Sequence, residues 1–146
     1  MLDGLFLAPA VTAIGEALAS ARVDGAVGVV GHAALVRALA AGGGRPTVVA
    51  IDLSARAAKK LAGKKLAEVE PRSLAALVAV DVAKADAWQD RLAAWSAVVR
   101  DGGAIVLLDR GRVMAASQRA LCAGLCELEQ RHAGRAVVTS GLVTHL

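Results

Sequence analysis

Residues 27–44 read VGVVGHAALVRALAAGGG. A short apolar run ends on Gly31, a segment with helical spacing follows at once, and three glycines close it. This is the outline of a strand–turn–helix unit, which presents a helix N-terminus to a nucleotide or phosphate. Glycine matters in such a turn because a Cβ at the point of closest approach pushes the ligand away. Only Gly31 holds such a place here, and Ala33 and Leu35 occupy the next two alternate positions. The stretch predicts a fold element more firmly than it predicts a ligand.

The same unit recurs on either side. Residues 10–21 carry Val11, Ile14 and Leu18 on one stripe and predict a helix. Residues 26–30 predict a strand and 32–41 a helix, with Gly42–Gly44 as its stop. A β-branched run at 47–51 ends in Asp52, and Ser54 is placed to cap a helix over 55–66. Residues 74–80 are apolar throughout, as a strand buried on both faces should be, and Asp81 follows them. A helix over 86–100, with Trp88, Leu92, Trp95 and Val99 at helical spacing, is expected to end at Gly102 and Gly103. Then come a strand at 104–108 closed by Asp109, a long helix at 114–132, and a last strand from 135.

Composition sets the bounds. The chain has 146 residues, 56% hydrophobic and only 2% aromatic, so its core must be built from Ala, Val and Leu. That length suits one domain with a sizeable core. No apolar run is long enough for a membrane span, and Asp3 sits where a signal peptide would be positive, so a cytoplasmic location is expected. Cys122 and Cys126 fall on one predicted helix and read as small buried hydrophobes. The net charge of +4 is spread along the chain except at Lys59, Lys60, Lys64 and Lys65. Without an aromatic platform, zinc-finger spacing or helix-turn-helix, solvated helix faces explain these lysines better than nucleic-acid binding does.

Strands alternating with helices predict a three-layer α/β/α sandwich. Its mainly parallel sheet should have about five strands in the order 2-1-3-4-5, counted along the chain, within a single domain over residues 1–146. From residue 26 to 109 the order of signals resembles the class I S-adenosylmethionine-dependent methyltransferases. VGVVGHAA stands at their glycine-rich first motif, VVAIDLS at their second, and AVVRDGGAIVLLD at their glycine pair and following strand. The resemblance implies cofactor contacts at Gly31, at Asp52 for the ribose hydroxyls, and at Asp81. The departures are specific. Val29 stands where the family carries an acid, two glycines are replaced, and the family's third strand has no counterpart between residues 67 and 73.

Asp52, Asp81 and Asp109 each follow an apolar strand, so all three are expected at the carboxyl edge of the sheet, with His32 nearby. Strand ends carry polar residues in any such fold, so a metal or acid–base centre is the lesser reading. No Gly-x-Ser-x-Gly elbow, Walker-type loop, CxxC pair or HExxH occurs, and His145 has no evident partner. The expectation is a pseudoenzyme: a degenerate methyltransferase-like domain without a cofactor, acting through a protein partner or as a homodimer. The strand at 47–51, left as an open apolar edge, is the expected contact. The alternatives are an active, divergent S-adenosylmethionine-dependent methyltransferase and a small nucleotide-binding module.

Overall fold

A computed structural model describes residues 4–41, 47–82, 86–110 and 113–145. Helix α1 (Gly4–Ser20) is followed by β1 (Val27–Val30), α2 (Ala33–Ala40), β2 (Val48–Ile51) and α3 (Ala55–Leu61). Then come β3 (Leu74–Val80), α4 (Trp88–Val98), β4 (Val99–Arg110), α5 (Val113–Cys122), β5 (Cys126–Ala133) and β6 (Ala136–Leu142). The expected glycine stop at Gly42–Gly44 and the apolar side chains of Leu2, Leu5, Phe6 and Leu7 lie outside the described residues.

The six strands form one sheet in the order β2-β1-β3-β4-β6-β5. The first four are parallel, and β6 and β5 join antiparallel at the far side. Alternating side chains divide the core into two layers. Val27, Val29, Ala76, Val78, Ala104, Val106 and Leu108 face α1 and α2, meeting Ile14, Leu35 and Leu39. Leu77, Ala79, Ile105 and Leu107 face the other way, against Leu92 and Trp95 of α4 and Ala120 of α5. Ala-rich faces let α1 settle against β4, β5 and β6, with Ala10, Ala13 and Ala17 all buried.

The three-layer architecture agrees with expectation, and the sheet differs from it in three respects. The helix expected over 114–132 stops at Cys122, and residues 126–133 form the outer strand β5. Most of CELEQRHA reaches solvent at the sheet edge, so no apolar alternation marks it as a strand. The sheet therefore has six strands, with β6 lying between β4 and β5.

Gly102 and Gly103 do not end α4. That helix stops at Val98 and both glycines lie inside β4, where a Cβ on Gly103 would stand 2.6 Å from the Ala75 carbonyl oxygen. Asp109 follows the last β3–β4 pair, Val80 and Leu108, and so lies level with Asp81 at the carboxyl end of the sheet as expected, but it is buried there. It lies within β4, pairs across the ladder with Val137, and is 2% exposed.

The edge at β2 is only partly open. Lys64 forms a parallel bridge to Ile51, donating its N–H to Ala50 and accepting from Asp52. One residue stands where a further strand would run.

Candidate functional site

The strand order reverses between β1 and β3: β2 lies on one side of β1, and all later strands lie on the other. In open α/β sheets the carboxyl edge at such a point is where ligands bind. Three strand ends meet there, and each turns on a left-handed residue: Gly31 (φ 68°), Asp52 (φ 51°) and Asp81 (φ 58°). Backbone bonds fix them in place. Gly31 N–H donates to Ile51, Asp52 N–H to Lys64, and Asp81 N–H to Leu108. Aspartate adopts this conformation more readily than most side chains, which accounts for its presence after β2 and β3.

A cleft of about 250 Å³ opens between the ends of β1 and β3. Gly31, His32 and Asp81 line it with Arg91 and Trp95 of α4. Of the expected site residues, Gly31 and Asp81 are brought together here. Asp52 is not among the lining residues; its Oδ1 accepts the Leu66 N–H at 3.0 Å, securing the turn after α3. Nothing lies within 4 Å of the place a Gly31 Cβ would occupy, so its glycine answers to backbone conformation and not to crowding by the chain.

His32 is the residue whose role the sequence did not disclose. It is the N-cap of α2, and its Nδ1 accepts the Leu35 N–H at 3.1 Å. An accepting Nδ1 carries no proton, so the neutral ring holds its hydrogen on Nε2. Partial burial lowers the His32 pKa, outweighing the opposing effects of its own backbone hydrogen bond and the Asp81 charge. A histidine heading a helix offers no cap signature of the Ser, Thr, Asp or Asn kind.

A second tie supports the cleft from behind. The Arg119 guanidinium of α5 donates to the Val82 carbonyl at 3.1 Å and stacks 5.3 Å over the Trp88 ring. It thereby joins α5 to the chain just past Asp81. Trp95 is buried against the sheet.

Elsewhere the residues singled out are dispersed. Cys122 ends α5 and Cys126 begins β5; both are exposed, not buried together on one helix. His145 does have partners: its ring lies 2.7 Å from the Val99 carbonyl, and its N–H donates to Asp101 at 2.9 Å. Among the described residues no group of three or more His, Cys, Asp or Glu side chains is placed to hold a metal ion. No helix among them is long and apolar enough to cross a membrane.

A cleft of about 250 Å³ falls below the usual range of ligand pockets, roughly 300–1,000 Å³. Val29, where the resemblance places an acid, is fully buried in the core, while the exposed Asp52 carboxylate accepts one backbone N–H at Oδ1 and keeps the acceptor sites of Oδ2.

No protein-family model matches the chain, and neither does any curated protein. Solved structures do match. A putative methyltransferase from Haloferax volcanii, in complex with the Trm112 methyltransferase activator, aligns at TM-score 0.71 and 13% identity over 90% of this chain and 89% of its own. A Thermotoga maritima S-adenosylmethionine-dependent methyltransferase aligns at 0.70 and 12%, over 96% and 92%. A Thermus thermophilus 16S rRNA methyltransferase, in complex with AdoMet and guanosine, aligns at 0.62 and 16% over 84% of this chain, which spans 36% of that protein. The fold is that of the class I methyltransferases.

Proposed function

We propose that this chain is a methyltransferase-fold domain that does not transfer methyl groups and acts by contact with another protein. The observation that carries this reading is the position of Asp52 outside the cleft. The carboxylate at the end of β2 accepts a backbone hydrogen bond from Leu66 and stands outside the cleft. The remaining cleft is short, with one lining carboxylate, Asp81. Two features support contact with a protein. Met114 and Leu121, seven residues apart on α5, are 73% and 60% exposed, and β2 keeps part of a free edge. A solved neighbour of similar length is itself held in a complex with an activator protein.

A second reading rests on where the cleft lies. It opens at the point where strand order reverses, so a divergent S-adenosylmethionine-binding methyltransferase would use Gly31 and Asp81 there, with Asp52 beside them. Thermal melting with and without S-adenosylmethionine separates the two. The first reading expects no change in midpoint, whereas a rise of several degrees, from binding to the folded chain alone, favours the second.

A further inference from the structure

We infer that a small pocket between the end of α1 and the antiparallel half of the sheet binds a primary alkylammonium group. It lies by Ala104, at the amino end of β4, away from the cleft at the carboxyl edge, and it does not depend on whether the chain acts through protein contact. Strands β4, β6 and β5 are paired there: Ala104 faces Leu142, and Ser140 faces Glu129. A shift of register between Cys126 and Glu129 puts Glu127, with φ of 52°, in a bulge. Both glutamates line the pocket with Ser20 and Ser140, over a floor of buried Ala17 and Ala104. Its volume of about 120 Å³ equals that of roughly four waters of liquid, room for an ammonium and a few methylenes.

The lining selects a cation that carries hydrocarbon. Ser140 is 6% exposed, and its hydroxyl has no hydrogen-bond partner among the described residues, although buried polar groups are as a rule paired. The exposed Glu127 carboxylate forms no ion pair among them. Hydrogen bonds from Arg131 and Ser20 lower the pKa of Glu129 and keep it ionised, and Arg131 offsets only one of the two carboxylates. The last turn of α1 holds no basic residue, so the negative end of its dipole adds to theirs. An anion is therefore opposed. A hard divalent ion matches less well, because calcium and magnesium take about six or more oxygen ligands and the floor here is methyl groups. An ammonium has a donor each for Glu127, Glu129 and Ser140, while its methylenes lie on the alanines.

The probe is putrescine, titrated against the full chain and followed by the backbone amide shifts of Ala104, Ser140 and Leu142 in two-dimensional NMR. Saturable shifts at these residues are expected, with a Kd of about 1 mM as suits so small a ligand. The uncharged diol of the same chain length should leave them unmoved. Glu127→Gln, which keeps the shape and loses the charge, and Ser140→Ala should each weaken binding about tenfold. Glu127 is exposed, so its variant keeps the fold even where Ser140→Ala does not. Nα-acetyl-lysine N-methylamide identifies the source of the group: affinity like that of putrescine supports a partner's lysine side chain, and binding of putrescine alone supports a free amine. Equal shifts with the diol, unchanged affinity in Glu127→Gln, shifts that miss Ala104 and Ser140, or displacement by about 1 mM calcium each overturns the site.

Discussion

The Nδ1 of His32 accepts the backbone N–H of Leu35 at 3.1 Å, so one of the donors at the N-terminus of α2 is spent within the chain. Those donors are what a strand–turn–helix unit offers to an anionic ligand. Leu35 itself is fully buried against the sheet, so the side chain that replaces a glycine in the motif serves packing. In the segment that most resembles a cofactor turn, one helix donor is thus taken by the chain's own histidine.

This cap makes stability depend on pH. Burial holds the His32 pKa below its ordinary 6.5, so the unfolded chain binds the proton more readily than the folded one. The contribution is complete above that value and is lost as pH falls below it. The melting midpoint should therefore drop as pH falls through and below 6.5, and His32→Asn should flatten the drop. Asparagine keeps an acceptor at the cap and does not titrate. His32→Ala, which keeps no acceptor, should lose about 1 kcal/mol at neutral pH in a denaturant titration.

Gly31 and Gly103 should respond to alanine for different reasons. At Gly31 the space is open and only the positive φ resists, so Gly31→Ala should cost about 1–2 kcal/mol. At Gly103 the new Cβ meets the Ala75 carbonyl oxygen and Val99 Cγ1, both at 2.6 Å. Gly103→Ala should cost about 3 kcal/mol, since a strand backbone inside the sheet cannot give way. Chemical denaturation of the two variants side by side checks the order.

Asp52 has a structural task that asparagine shares. Asp52→Asn keeps an acceptor for the Leu66 N–H and a tolerance for φ of 51°, so its stability should lie within about 0.5 kcal/mol of the parent. Asp52→Ala loses both and should fall by about 1–2 kcal/mol. Equal stability of the two variants in urea would show that the bond to Leu66 does not matter.

Arg119 ties α5 to α4 and to the chain after β3. Arg119→Met should cost about 2 kcal/mol, because the Val82 carbonyl loses its donor in a buried setting and Trp88 loses the stacked cation. Arg119→Lys should recover part of the loss. Tryptophan emission should shift in Arg119→Met, since one of the chain's two tryptophans sits directly under the guanidinium.

The parallel half of the sheet was legible because its strands are buried on both faces. VGVV, VVAI and LAALVAV are continuous apolar runs, and each ends on a residue suited to a left-handed turn. The antiparallel half was not. Strand β5 has no inner stripe to read, and its nature is set by pairing with β6 and by the hairpin at Gly134. Ala104–Leu108 read correctly as strand, but β4 also takes in both glycines and Asp109, because pairing with β6 extends it.

At the site, Gly31 and Asp81 were legible as strand-end residues facing one cleft. The His32 cap, the Arg119 tie and the Lys64 bridge were not. Each is a contact between a side chain or backbone group and a partner whose position only the folded chain decides. The missing third strand was legible as a gap in the pattern, and the single bridging residue that fills part of it was not.

The measurement that bears most directly on function is calorimetric titration of the full chain with S-adenosylmethionine and, separately, S-adenosylhomocysteine. With Asp52 outside the lining of a cleft of about 250 Å³, no saturable heat is expected below about 1 mM ligand. A one-to-one isotherm with Kd of about 10 μM or tighter would contradict this and identify the chain as a cofactor-binding methyltransferase.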